Sequence, residues 1–359
     1  MSRIRIEGLS KSYRGVTALV GVDLEVEPLT LTVFCGPPGC GKSVLMRLII
    51  GLETPSAGSI LVGGVDITRL TPAARSIGYV PQSFALFPHM SVFDNVAYPM
   101  KLQGVPRAEI VSRVGQAAEM LHITPLLQKR PSELSGGEKQ RAAIARGVLK
   151  NADIFILDDP LVGLDFKLRE GLMDDLKDLR AELNATFLYV TSDSLEALTM
   201  AEHLVVMDAG RVVQAGPVDT VYHHPDVLRS AELVGFPKCN VVTGSVSNGI
   251  CTTGVLRFPA QLERRADEVS VMIRPEGIAH DAGAPAGSGE IRLIENLGAE
   301  SVVYFDTGAD TLVTTAPSAA VAGLDIGARY PFALRPQAIL LYERGSGRLV
   351  GRGREVPGA

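Results

Sequence analysis

The sequence predicts an α/β layered domain over residues 1–235, with a helical subdomain at about 83–150, followed by an all-β module over 236–359. Three observations carry this reading. Short apolar runs alternate with helical patterns through the first part. A glycine-rich turn at 36–43 joins a strand-like segment to an apolar helix. After Phe236 the pattern changes to short strands separated by glycine-rich turns. With 359 residues, 46% of them apolar and 21% charged, both parts can bury a core of their own, and the composition is not that of a disordered chain.

Each element follows from local pattern. Leu31–Cys35 is apolar and strand-like, and Ser43–Ile50 continues as an apolar helix. Helical periodicity runs from Met90 to Leu134, divided by Pro106, Pro125 and Pro131. Asp153–Leu157 and Ala185–Thr191 read as buried strands, and His203–Gln214 as a hairpin turning at Ala209-Gly210. In the second part, Asn240–Val246, Val269–Ile273, Ile291–Ile294, Ser301–Phe305 and Ala338–Tyr342 read as strands of a small barrel. Asp281–Gly289 reads as an exposed loop and residues 351–359 as a frayed tail. No internal repeat is evident.

Charge and composition exclude several functions. A net charge of −5 offers no phosphate-tracking surface, so no nucleic-acid partner is expected. The four cysteines, Cys35, Cys40, Cys239 and Cys251, have no metal-like spacing and fit reduced thiols of a cytosolic protein. Charges interrupt the opening MSRIRIEGLS, so no signal peptide is expected. The longest apolar run, Val44–Leu52, is short and carries Arg47, so any membrane role has to come through a partner.

Gly36-Pro37-Pro38-Gly39-Cys40-Gly41-Lys42-Ser43 fits G-x-x-x-x-G-K-[ST] and lies between a strand and a helix, as the chemistry requires. Glycines let backbone N–H groups face phosphate oxygens, and the helix N-terminus adds its dipole. Lys42 is expected to reach terminal phosphates, and the Ser43 hydroxyl to bind Mg²⁺. A functionless glycine turn is the plain alternative. Ile154–Asp159 is an apolar strand delivering a carboxylate, with Asp158 the expected Mg²⁺-side acid. Buried strands often end in aspartate, and this one gains weight only by following a phosphate loop.

Leu134-Ser135-Gly136-Gly137-Glu138-Lys139-Gln140-Arg141 is the most specific segment. It resembles the signature of ABC transporter ATPases, with Ser135, Gly136, Gly137 and Glu138 opening a helix that makes an anion site. The resemblance runs nearly end to end and implies an ATP and Mg²⁺ site. Tyr13 stands where an aromatic stacks on adenine, and Gln82 in Tyr79-Val80-Pro81-Gln82 where a glutamine senses the γ-phosphate and the metal. Leu164-Asp165 matches the end of the D-loop. Ala85–Val92, Ala197–Ala201 and Met272-Ile273-Arg274-Pro275-Glu276 are similar to the carbohydrate, maltose and glycerol-phosphate importers, the last within an OB-like TOBE domain. Such a resemblance implies a peripheral protein on the cytoplasmic face of the inner membrane, with two transmembrane permeases and, indirectly, a solute-binding protein. It also implies a head-to-tail dimer, because one chain's signature completes the other chain's site.

Several positions depart from that family's pattern. Asp159 replaces the glutamate that polarises water, and Ser192 replaces the switch histidine. Val44 follows Ser43 where a hydroxyl residue is usual, and Pro38 and Val162 stand where serines are common. The cradle is retained, so binding is expected to survive while hydrolysis weakens, since general-base catalysis is worth ~10²–10⁴ in rate. The expectation is therefore a heterodimer in which this chain's signature serves a complete partner site. A slow homodimer, or a regulatory subunit that binds ATP without cutting it, stands as the alternative. A DNA-repair ATPase would need coiled-coil insertions and a translation factor two cassettes, and neither is present. An exporter would carry a fused membrane span.

Overall fold

A computed structural model of the chain describes residues 3–280 and 285–354. It divides into two units, Met1–Val218 and Asp219–Ala359. In the first, strands β1 (Ile4–Tyr13) and β2 (Val16–Val26) precede β3 (Leu31–Cys35), which leads through the glycine loop into helix α1 (Lys42–Ile50). Strands β4 (Ala57–Val62), β5 (Val65–Asp66) and β6 (Ile77–Val80) follow. Next come helices α2 (Val92–Leu102), α3 (Arg107–Met120) and α4 (Gly136–Val148). The unit ends with β7 (Ile154–Asp158), α5 (Phe166–Leu183), β8 (Thr186–Thr191), α6 (Ser194–Met200), β9 (His203–Asp208) and β10 (Arg211–Pro217).

Every residue of β3, β7 and β8 is buried. Strands covered on both faces belong inside a parallel sheet, where apolar runs need not alternate. They form the middle of a six-stranded sheet ordered β10-β9-β3-β8-β7-β6, parallel except at β10. The carboxyl ends of β3, β7 and β8 therefore emerge side by side, with Cys35 opposite Thr191 and Asp158 opposite Val190. In open α/β sheets that edge is where ligands bind. A four-stranded antiparallel sheet, β2-β1-β4-β5, packs into the same apolar core through Ile4, Ile6, Leu19 and Ile60.

Short helices α7 (Val218–His223), which starts at the last residue of the first unit, and α8 (Leu228–Leu233) precede the strands of the second unit. Its strands are β11 (Asn240–Ser247), β12 (Ile250–Thr253), β13 (Arg257–Leu262), β14 (Glu268–Ile273), β15 (Ile278–His280), β16 (Gly287–Asn296), β17 (Glu300–Asp306) and β18 (Thr311–Pro317). After the single-turn helix α9 (Ser318–Val321) come β19 (Arg329–Leu334), β20 (Ile339–Glu343) and β21 (Leu349–Gly353). Six strands close a barrel, β11-β12-β13-β21-β20-β14, and a five-stranded sheet, β15-β19-β16-β17-β18, accompanies it. The barrel was expected; the additional sheet was not. Two local expectations are corrected. Gly287–Gly289 is not loop but the start of β16, paired with Tyr330–Phe332, while residues 281–284 lie outside the described residues. Gly351–Gly353 is not frayed tail: it closes the barrel against Ala260–Leu262, and a Cβ at Gly351 would meet the Gln261 carbonyl at 2.3 Å. Residues 355–359 are likewise outside the described set.

The Arg274-Pro275-Glu276 segment acquires a structural role. Arg274 is 5% exposed and donates to the carbonyls of Ala231 (3.0 Å), Val234 (2.5 Å) and Tyr222 (2.8 Å), with its guanidinium 4.1 Å from the Tyr222 ring centroid. Glu276 accepts from the Tyr222 hydroxyl at 3.0 Å. Arg274→Met is expected to leave two buried carbonyls and one half-buried carbonyl without that donor and to destabilise this unit by about 3 kcal/mol. Denaturant titration of the full chain checks it.

Candidate active site

The glycine loop is braced from behind by backbone. Gly210 donates its N–H to the Cys40 carbonyl at 3.0 Å. Gly41 sits in the left-handed region at φ 107°, and a Cβ there would lie 2.8 Å from the Ala18 carbonyl. Conformation and space both demand glycine. Gly39, at φ 78°, meets only the conformational demand. Gly36 and Cys40 are buried, Pro37 is half-buried, and Pro38 and Gly39 are exposed on the outer rim. Lys42 is 7% exposed, its ammonium inside the loop at 2.7 Å from the Gly36 carbonyl and 3.2 Å from that of Pro37. Val44 is half-buried and packs on the core. Tyr13 ends β1 with its ring 41% exposed. Its hydroxyl donates to Glu53, which is ion-paired to Arg47 of α1 at 2.7 Å. The Lys11 ammonium lies 5.0 Å from the ring centroid.

At the ends of β7 and β8 the carboxylates gather. Ser43 Oγ donates to Asp158 Oδ1 at 3.2 Å, so the loop and the strand meet. Burial pushes the Asp158 carboxyl above the usual range. Burial first, then the Asp158 charge, raises that of Asp159 as well. Asp159 occupies the left-handed region at φ 50°, which aspartate tolerates better than most residues. Its N–H donates to the Val190 carbonyl at 3.0 Å, and its carboxylate accepts from the Ser192 backbone N–H. Two of the departures from the family pattern, Asp159 and Ser192, are thus neighbours in space. Gln82 stands exposed in the turn after β6, and no hydrogen bond among the described residues joins it to Ser43 or Asp158.

The donor set suits a hard divalent ion. Among the described residues there is no group of three or more His, Cys, Asp or Glu that could hold a metal. The protein instead offers one hydroxyl and one carboxylate. That matches Mg²⁺, which is usually held by one or two protein oxygens together with phosphates and water.

The signature segment is built as a helix start. Ser135 caps α4, its Oγ accepting from the Glu138 N–H at 3.3 Å while Glu138 accepts from the Ser135 N–H at 2.7 Å. This reciprocal pair satisfies two helix-end donors and holds the Glu138 carboxyl below its ordinary range. Capping uses Ser135 as acceptor and leaves its O–H as a donor. Asp165 caps α5 in the same way, accepting from the Leu168 N–H at 3.0 Å. Neither signature glycine is demanded by the chain itself. Both lie outside the positive-φ set, a Cβ at Gly136 would meet nothing within 4 Å, and one at Gly137 only ordinary contacts at 3.5 and 3.7 Å.

Several residues that shape this region escaped sequence reasoning. Gln140, 2% exposed, donates to the Pro160 carbonyl and so ties α4 to the turn after Asp159. Arg169 of α5 pairs with Asp193, the cap of α6, at 3.0 Å. Asn95, fully buried, accepts from the Phe87 N–H at 2.7 Å and donates to the carbonyls of Phe87 and Ser91. It thereby fixes the wall of an apolar groove of about 710 Å³ beside Ala85–Phe87. A lone buried polar residue in a helical pattern is a signal for such loop clamps, but it does not name the loop.

Behind β8, Glu196 is 7% exposed and accepts from the Tyr189 hydroxyl. Burial outweighs that hydrogen bond and raises its carboxyl above the ordinary value. A raised native value means the folded chain holds this proton more tightly than the unfolded one, so its contribution to stability falls as pH rises. Glu196→Gln is therefore expected to gain stability relative to the parent as pH climbs above the ordinary glutamate range, and to show the smallest gain below it. Thermal melts from pH 4 to 8 check the sign.

Residues 19–162 match the ABC transporter family and residues 271–341 the TOBE domain. The chain is 36% identical over 98% of its length to the sn-glycerol-3-phosphate import ATP-binding protein UgpC of Cupriavidus pinatubonensis, 100% of which is covered. It is 38% identical over 86% of its length to the lactose transport ATP-binding protein LacK of Rhizobium radiobacter, covering 88% of that protein. A solved dimeric ATP-binding cassette in a post-hydrolysis state, bound to ADP and Pi, superposes with a TM-score of 0.55 at 27% identity, covering 60% of this chain and 98% of that one. With relatives this similar along most of their length, the chain belongs to the ABC transporter ATPase family, a cassette followed by a TOBE domain.

Proposed function

We propose that the chain binds Mg-ATP at Gly36–Ser43 and powers import of a small sugar, polyol or glycerol-type solute through two partner permeases. It would act peripherally on the inner face of the membrane, with a solute-binding protein as an indirect partner. The observation that carries the reading is the meeting of loop and strand, with the Lys42 ammonium inside the cradle and Ser43 on Asp158. Among the described residues no helix is long and apolar enough to cross a membrane, which fits a subunit that reaches the bilayer through others. The relatives' names support the solute class, and the apolar groove beside Ala85–Phe87 supplies a surface for a permease segment.

Backbone amides of the cradle and Lys42 take up the phosphate charge, and Tyr13 offers its exposed ring to the adenine. When bound, Mg²⁺ would neutralise charge on the terminal phosphates; Ser43 and Asp158 are the residues that would hold it, with Gln82, in the turn after β6, as the third. Asp159 takes the proton from the attacking water. A second chain supplies Ser135, Gly136, Gly137 and Glu138 to the opposite face of the nucleotide, with Asp165 at the dimer seam. Two glycines that the chain's own packing does not require support that role.

The finer part of the proposal is asymmetric. Asp159 and Ser192, adjacent and both altered from the family pattern, make this chain's own site slow, and its signature completes the site of a non-identical ATPase subunit. The test is ATP turnover by the purified chain alone and with a candidate partner. Fast cooperative turnover by the lone chain, abolished by Asp159→Asn, removes the asymmetric reading in favour of a homodimer. Failure of the chain to bind a non-hydrolysable ATP analogue with Mg²⁺ removes the whole.

A further inference from the structure

We infer that Tyr79 is a positioning residue that holds the second oxygen of Asp158 and links that carboxylate to the apolar groove; this rests on the Mg-ATP reading above. Asp158 presents two oxygens, and each meets a hydroxyl. Ser43 donates to Oδ1 at 3.2 Å, and the Tyr79 phenol donates to Oδ2 at 3.4 Å. The second contact is long for a hydrogen bond to oxygen, so it steers the carboxylate more than it binds it. Tyr79 lies on β6, the edge strand directly paired with β7, opposite Ile156. A phenol hydroxyl has one proton to give, and a carboxylate oxygen is the acceptor it meets here.

The same side chain has a second surface. Tyr79, half-buried, also lines the groove together with Leu86, Phe87, Tyr98, Leu102 and Arg146. The groove wall is braced: the Phe87 and Tyr98 rings pack at a tilt of 53° with centroids 4.8 Å apart, and Arg146 lies 5.5 Å from the Phe87 ring while donating to the Ala85 carbonyl at 2.7 Å. An occupant that shifts the ring therefore moves the phenol against Asp158. Partners of metal-binding groups commonly matter tenfold or more for metal affinity, and a long hydrogen bond sits at the lower end of that range.

The experiment measures Mn²⁺ binding to the full chain with saturating non-hydrolysable ATP analogue, by electron paramagnetic resonance. Tyr79→Phe, which keeps the ring, is expected to weaken Mn²⁺ binding by about three- to tenfold and to leave metal-free nucleotide affinity unchanged. Ala85→Trp, placing an indole at the groove mouth, is expected to shift Mn²⁺ affinity in the parent and not in the Tyr79→Phe background. Unchanged Mn²⁺ affinity in Tyr79→Phe overturns the positioning role. No shift from Ala85→Trp, or equal shifts in both backgrounds, overturns the link to the groove. A parent chain that binds no Mn²⁺ with the nucleotide overturns the Mg-ATP reading itself.

Discussion

Gly136→Ala is expected to make the chain slightly more stable and its assembled ATPase about a hundredfold slower. The two effects have separate causes. Gly136 opens α4 with an ordinary helical backbone, and a methyl group there would touch nothing within 4 Å. Alanine at a compatible helical position narrows the unfolded ensemble and gains about 0.5 kcal/mol. In the proposed dimer the signature faces the nucleotide held by the other chain, and an added methyl group is expected to crowd it. A misplacement of about 1 Å in a reacting geometry costs about 10² in rate. Thermal melts and steady-state turnover on one preparation separate the two effects. A variant that is both stable and fully active would mean that the signature glycines face nothing in the working assembly.

That expectation needed both levels of reading. The central strands were legible because parallel strands buried on both faces are written as apolar runs, and Leu31–Cys35 coincides with β3 to the residue. The cradle and Asp158 were legible because their chemistry is local: a loop, a lysine, a hydroxyl and a strand-end acid. The second unit was only half legible. Glycines at 287–289 and 351–353 look like loop and tail when read by propensity, yet Gly351 and Gly353 are buried where neighbouring backbone approaches too closely for a side chain. Arg274 was read as a family mark, and its three carbonyl partners lie 40 to 52 positions earlier in the chain, beyond any periodicity. The meeting of Asp159 with the Ser192 N–H is of the same kind, because it depends on β7 and β8 being sheet neighbours.

That meeting sets the second large prediction, for the pair Asp159→Glu with Ser192→His. The proposed weakness lies in reach and in proton handling. Aspartate is one methylene short, and a serine hydroxyl cannot take the imidazole's part at the γ-phosphate. Restoring both is expected to raise turnover by about 10² while changing the KM for ATP by less than about threefold, since the cradle is untouched. Each single change is expected to give much less than half of that gain on a logarithmic scale, because groups that act on one water are not additive. There is a cost in stability of about 1 kcal/mol, because position 159 is left-handed at φ 50° and glutamate accepts that conformation less readily than aspartate. Ser192 is exposed, and the contact it makes to Asp159 comes from its backbone, so an imidazole can be added there without breaking it. A rate gain accompanied by lower stability would mark a site that has moved away from catalysis in exchange for a relaxed backbone. No gain in a folded double variant would place the loss elsewhere in the site and favour a subunit that holds ATP as a regulator. The two outcomes differ in turnover alone, so one enzyme assay on a variant of verified fold decides between them.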